Sequence, residues 1–370
     1  MRYAATRTSY SPSSPTPARG FTLLELLIVI GILSVLIGIL VPVLGGVRNA
    51  ARSATSESLV REVVTASQTY MIDNRRPPGL FSQRDLGAMP NATRGFTAME
   101  NALLELSGGV VDDPAAPSPN DDNSLLRVGP FATDNQNALV DTLAIGAQDG
   151  PGYLRLGDNA LYPVLGQATN IDIYNSNETE IVKGMPDIVD AFGTPLMMWV
   201  QDASSGPVND VTDFARIVYA PASQQTSRFY YNTNIGYLAS GYARDGNPGS
   251  NPSQRGLGES MGNQFGVSLL GAGRSELMRR QNMTAILGSP AFPSESDPSL
   301  PSNARGEVVV ISANRNRVFF ENPLSFNTTL PESIGGFPIG YGPRQNVPGT
   351  TDRASSIVSD FNDIIQSAGG

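Results

Sequence analysis

The feature that most constrains this chain is an apolar run near its start. Among the 27 residues from Phe21 to Val47, only Thr22, Glu25 and Ser34 carry polar side chains. As a helix this run is about 40 Å long at roughly 1.5 Å per residue, enough to cross a hydrocarbon core of about 30 Å. No loop follows it. Apolar or small residues recur at Val47, Ala51, Ala54, Val60, Val63, Val64, Tyr70 and Met71, close to a helical period. Arg48, Arg52, Glu57, Arg61 and Glu62 fall largely on the other face, and Glu57 with Arg61 makes a favourable i, i+4 pair. The spacing predicts one helix from Phe21 to about Ile72, greasy all round in its first half and amphipathic in its second. The stretch 73–79, DNRRPPG, ends it, because two prolines and a glycine cannot continue a helix. Gly31, Gly38 and Pro42 interrupt the apolar half, as helices in membranes tolerate.

Residues 1–20, MRYAATRTSYSPSSPTPARG, are rich in Ser, Thr and Pro and carry Arg2, Arg7 and Arg19 without an acid. They read as an unstructured cytoplasmic leader. The arginines favour a cytoplasmic N-terminus, although Arg48 and Arg52 reduce the asymmetry across the run. A secretory signal peptide has a shorter apolar core and is cut after it; here the best processing point, Gly20–Phe21, precedes the core. An uncleaved signal anchor accounts for length and flanks. It leaves Glu25 unexplained, since a carboxylate in hydrocarbon costs a few kcal/mol.

Gly20 before the run, Phe21 at its start, Glu25 five residues in and Pro42 at the twenty-second position together resemble the type IV pilin superfamily, and in particular the pseudopilins of type II secretion. The resemblance implies a prepilin peptidase that cuts between Gly20 and Phe21 and methylates the new amine of Phe21. It also implies that Glu25 pairs with the Phe21 amine of a neighbouring subunit, because an ion pair offsets part of the desolvation of both charges. The partners so implied are the peptidase, other pilin or pseudopilin subunits and an inner-membrane assembly platform. The function implied is that of a structural filament subunit, not an enzyme, in the bacterial inner membrane with its globular part periplasmic or extracellular. Within the superfamily a type IV pilin for adhesion, motility or DNA uptake is the alternative. Outside that class stands a surface binding protein, or a carboxylate-based hydrolase, carried on a pilin-type stem.

A second, shorter element, Asp190-Ala191-Phe192-Gly193-Thr194-Pro195, resembles the D-x-W-G-x-P motif of major pseudopilins, with Phe192 in the Trp position. Asp190 and Gly193 suit the ends of a type I turn, and 196–200 reads as a buried strand. Two departures stand against that likeness. The segment between the helix and Asp190 exceeds a hundred residues. In addition, Arg315 and Arg317 stand after the strand at 308–312, where the calcium loop of major pseudopilins would want acids. No cofactor is expected, and calcium is not supported by ligand spacing.

The chain lacks Cys and His altogether, which removes disulfides, Cys/His zinc sites and His-based triads. The formal charge of −9 becomes −12 once the leader with its three arginines is removed, so no nucleic-acid partner is expected. Lys183 is the only lysine. The expected organisation is a leader at 1–20, a transmembrane and polymerisation helix at 21–47, its amphipathic continuation at 48–75 and a loop-rich globular domain at 76–370. The expected fold class is α+β, a long N-terminal helix packed on an antiparallel sheet with long loop-rich insertions, since nearly a fifth of the chain is Gly or Pro. Strands are expected at 196–201, 215–220, 227–232, 307–312 and 317–321, and short helices near 97–107, 274–287 and 354–367. The acids Asp112, Asp113, Asp121 and Asp122 lack EF-hand spacing and read as a solvated loop. The glycines 256, 258 and 262 have the wrong spacing for a nucleotide loop, and Glu307 with Glu321 reads as surface carboxylates at strand ends.

Overall fold

The helical spacing near the N-terminus is realised as one element, α1, Leu23–Asn74. It closes where Arg75 adopts a left-handed φ of 56° and donates its N–H to the Met71 carbonyl at 2.8 Å, satisfying one of the terminal carbonyls. The computed structural model describes residues 22–111, 125–147, 150–156, 160–162, 185–223, 225–238, 268–271, 275–289, 292, 300–316, 318–320, 333–334, 337–338 and 363–369. The leader and Phe21 lie outside them. The chain divides into two compact units, Met1–Ala50 and Ala51–Gly370.

In the first unit every described side chain from Thr22 to Gly38 is exposed, and the apolar ones occupy all sides of the helix. A helix of this kind is stable in water only when lipid or other helices cover it. Among the described residues no helix is long and apolar enough to cross a membrane; the side chains of 39–43 are not among those described. α1 continues through Pro42, which has no N–H to offer the Gly38 carbonyl.

In the second unit α1 is followed by three short helices, α2 Gln83–Gly87, α3 Asn91–Arg94 and α4 Ala98–Ser107. Next come the antiparallel pairs β1 Leu125–Val128 with β2 Ala138–Asp141, and β3 Leu161–Tyr162 with β4 Asp187–Ile188. After β5 Met197–Val200 and α5 Val211–Phe214, β6 Ala215–Arg216 pairs in parallel with β7 Phe229–Tyr230. The chain continues through α6 Ile235–Leu238, α7 Glu276–Leu287 and β8 Val308–Ser312, then a small pair, β9 Ser333–Ile334 with β10 Phe337–Pro338, and ends in β11 Ile364–Ala368. The central sheet is antiparallel, in the order β11-β8-β5, with Val310 opposite both Gln366 and Met198.

Both faces of that sheet are buried. Met198, Val200, Val308 and Val310 pack with Val60, Val63 and Val64 of α1 and with the apolar face of α4. Met197, Trp199, Val309 and Ile311 pack with Phe214, Phe229, Tyr231 and the α7 residues Met283, Ile286 and Leu287. The expected helix-on-sheet arrangement is therefore present with a second layer behind it. The uninterrupted apolar runs at 197–200 and 308–311 carry that message, because a strand with one wet face alternates.

Several expected elements are corrected. Residues 364–367, expected as the end of a helix, belong to β11, since pairing on β8 satisfies their backbone. Residues 318–320, expected as strand, form a turn: Phe320 has φ 51°, and its N–H donates to the Asp363 carboxylate at 3.1 Å. The strands expected at 215–220 and 227–232 shrink to the two-residue parallel pair β6/β7. On α1, Val47, Ala51 and Ala54 are exposed, and the buried stripe begins instead at Ser56.

Candidate functional site

The N-terminus of α1 is built by Thr22 and Glu25. The Thr22 hydroxyl accepts the Glu25 N–H at 3.2 Å. The Glu25 carboxylate in turn accepts the Thr22 N–H at 2.9 Å and the Thr22 hydroxyl at 3.0 Å. This is a capping box, and it satisfies two backbone donors that a helix start leaves orphaned. Glu25 was expected to find its partner on another subunit; it also has one within its own chain. The T-x-x-E spacing at 22–25 was readable in the sequence. Hydrolysis of the Gly20–Phe21 bond would leave the box intact, because the Thr22 N–H remains an amide. Gly20 and Phe21 themselves lie outside the described residues, and Pro42 lies within α1.

In the second unit the element at 190–195 forms a tight turn that grips α1. The Gly193 N–H donates to the Asp190 carbonyl at 2.8 Å, and Gly193 takes φ 77°, a conformation glycine adopts without a Cβ penalty. The Asp190 side chain is 3% exposed. One oxygen accepts the N–H groups of Phe192 and Thr194, both at 2.9 Å, and the other accepts the Ser312 hydroxyl at 2.6 Å. Val189 and Pro195 bridge across the turn and lead directly into β5. The turn reaches α1 through Ala191, whose N–H donates to Ser56 Oγ at 3.1 Å. Phe192 lies beneath the Arg52 guanidinium, 5.9 Å from the ring centroid.

The loop after β8 holds α1 one turn earlier. Ser53 Oγ donates to Asn314 Oδ1 at 2.9 Å, with Asn314 at φ 53°, which Asn tolerates better than most residues. Arg315 is exposed, and Arg317 lies outside the described residues. Two loops from sequence-distant parts of the chain thus clasp residues 52–56. The polar residues that do this, Ser53, Ser56 and Asn314, carry no sequence signal of their own.

The far end of α1 is tied by Glu105 of α4. Its carboxylate accepts the Tyr70 hydroxyl at 2.7 Å, the Gly79 N–H at 2.7 Å and Arg76 Nη1 at 2.8 Å, with a second contact to Arg76 Nη2. Burial alone would raise the Glu105 pKa; the bonds from Arg76, Gly79 and Tyr70 outweigh it and hold the carboxyl below its ordinary value. Burial, together with the bond to Glu105, pushes the Tyr70 hydroxyl up.

Among the described residues no three acids, histidines or cysteines converge in a way that could hold a metal. The acidic residues Asp112, Asp113, Asp121 and Asp122, the glycines around 256–262 and Glu321 lie outside the described residues, while Glu307 is exposed beside β8.

A model of the prokaryotic N-terminal methylation motif matches residues 16–41, the segment that contains Gly20, Phe21 and the Thr22–Glu25 box. The type IV wide pilus major component PilA4 of Thermus thermophilus is 40% identical over 57 residues, which is 15% of this chain and 44% of that protein. The match thus spans less than half of the relative. No solved structure matches the chain. The N-terminal methylation segment and this likeness to a pilus component support a place for the chain in the type IV pilin superfamily.

Proposed function

We propose that the chain is a structural subunit of a type IV pilus-like filament, made as a precursor and matured by cleavage between Gly20 and Phe21. The observation that carries this reading is the methylation segment at 16–41, with Glu25 held at the first turn of a helix whose apolar side chains between Leu23 and Ile37 are exposed on every side. Prepilin peptidase hydrolyses the Gly20–Phe21 bond, and the freed Phe21 amine is methylated. The apolar half of α1 anchors the subunit in the inner membrane with its N-terminus cytoplasmic, and an assembly platform moves it into the filament. There the positive amine of one subunit meets Glu25 of the next, which favours the axial register that pairs the two charges. Thr22 keeps the carboxylate hydrogen-bonded until that partner arrives.

The reading assigns no catalytic role, cofactor, metal or nucleic-acid ligand. The Asp190 turn, clasped to α1, supports a type II secretion pseudopilin. The Thermus relative, whose name makes it a pilus component, supports a pilus proper. Glu25→Ala tests the shared claim: the variant should be cut at Gly20 but fail to enter filaments when expressed alone. Assembly at wild-type efficiency would sink the pairing role.

A further inference from the structure

Between Glu25 and Glu57 the only charged residues are Arg48 and Arg52. Arg52 follows Val47, where the apolar run ends, by five residues, a spacing of about 8 Å at the helical rise of about 1.5 Å per residue. The headgroup layer of a bilayer is about 5–8 Å deep on each side of the hydrocarbon core. A second arginine is set beside Arg52 by the loop after β8. Ser53 Oγ donates to Asn314 Oδ1 at 2.9 Å, and Arg52 and Arg315 are the chain neighbours of those two residues. Arg52 is partly exposed and Arg315 is exposed.

Both arginines are presented on one scaffold, the buried Asp190 carboxylate. One of its oxygens accepts the Phe192 N–H, and the Phe192 ring lies under the Arg52 guanidinium. The other accepts the Ser312 hydroxyl, whose oxygen accepts the Asn314 N–H at 3.0 Å and so fixes the start of the turn 314–316 that carries Arg315. Among the described residues neither arginine makes an ion pair. The acids at this end are engaged. Asp190 is committed as above. The partly exposed Asp363, next to the β11 residue that pairs with Ser312, accepts the Phe320 N–H. Glu57, further along α1, is paired with Arg61 at 2.6 Å. Arg317 and Glu321, further along the chain, lie outside the described residues. Two guanidinium groups on a fixed base suit a phosphate, whose oxygens each fork can meet with parallel N–H bonds.

We propose that Arg52 and Arg315 hold the phosphate of an anionic glycerophospholipid at the membrane surface. The site rests on the membrane anchoring of α1 set out above, which puts Arg52 at the depth of the headgroup phosphates. A bilayer delivers lipid to this end of the protein, whereas the formal charge of −9 repels a long soluble polyanion. Basic side chains just beyond a membrane segment are drawn to anionic lipid. A phosphatidylcholine phosphate is a poorer ligand because its own ammonium already neutralises it.

Native mass spectrometry of the full-length chain in mild detergent, with phosphatidylglycerol or phosphatidylcholine added at equal concentration, counts the lipid bound. Wild type should retain phosphatidylglycerol in preference, and Arg52→Gln with Arg315→Gln should retain it several-fold less. Arg75→Gln with Arg155→Gln removes the same charge from exposed arginines near the far end of α1, where the Tyr153 hydroxyl bonds Asp73, and should bind like wild type. Equal loss in both double variants, or no loss in either, overturns the proposal. So does displacement of the lipid by millimolar inorganic phosphate, which would mark a site for any small phosphate. If the Arg52 and Arg315 variant fails to fold, wild type in nanodiscs decides. Amide exchange at 53–56 and 314–316 that is slower in phosphatidylglycerol than in phosphatidylcholine supports the site, and equal exchange refutes it. A chain that enters nanodiscs without preferring phosphatidylglycerol defeats this site alone, whereas one that never enters a bilayer defeats the membrane reading beneath it.

Discussion

Replacing Asp190 with alanine removes the acceptor for three donors in one step. The Phe192 and Thr194 N–H groups, each bonded at 2.9 Å, and the Ser312 hydroxyl at 2.6 Å would be left without it at a site where Asp190 is 3% exposed. A buried donor left unsatisfied costs about 1–3 kcal/mol. The serine can rotate to another acceptor, so the two amides carry most of the loss, and the sum comes to about 3–5 kcal/mol. Against a typical total of about 5–15 kcal/mol, that is a severe defect. Asp190→Asn keeps an oxygen for the two amides and presents an NH₂ to a serine hydroxyl that can turn and accept, so it should lose only about 1 kcal/mol. Urea unfolding of the full-length chain in detergent, followed by Trp199 fluorescence, measures both. Trp199 sits in the strand this turn feeds and is 1% exposed. An alanine variant within about 0.5 kcal/mol of wild type would refute the assignment, as would an asparagine variant equally damaged.

Thr22→Ala removes the side-chain half of the box that starts α1. A lost N-cap costs about 1 kcal/mol, so hydrogen exchange at the first turn should quicken about fivefold, while Thr22→Ser should exchange like wild type; equal rates in the alanine variant would count against the box. Glu105 predicts a pH dependence. Because its folded pKa lies below the ordinary 4.5, its stabilisation is complete above that value and is lost as the pH falls through the lowered one. Glu105→Gln should therefore be less stable than wild type at pH 7, by about 1–2 kcal/mol after discounting for the half-exposed Arg76. The two urea curves should converge on acidification, and a constant gap down to low pH would contradict the assignment.

Local patterns made much of this protein legible, and long-range pairing made the rest opaque. The period of Val60, Val63, Val64 and Tyr70, the turn chemistry of Asp190 with Gly193, and the apolar runs of β5 and β8 each act over a few residues and can be read in sequence. The C-terminal segment around Ile364 and Ile365 reads equally well as a helix; only the open edge of β8 makes it a strand. Phe319 and Phe320 were expected in a strand at 317–321; both are 0% exposed, but they sit in a turn in which the Phe320 N–H finds Asp363. The clasp on α1 by Ser53, Ser56 and Asn314 joins residues up to 261 positions apart, and nothing local marks it.

The central claim concerns a bond, Gly20–Phe21, and is tested most directly at that bond. Intact and N-terminal peptide mass spectrometry of the chain, from cells with and without prepilin peptidase, reads the terminus. The account predicts a mature chain that begins at N-methylated Phe21 when the peptidase is present, and one that retains residues 1–20 when it is absent. An uncut leader in peptidase-bearing cells, or a cut anywhere other than Gly20–Phe21, would contradict it.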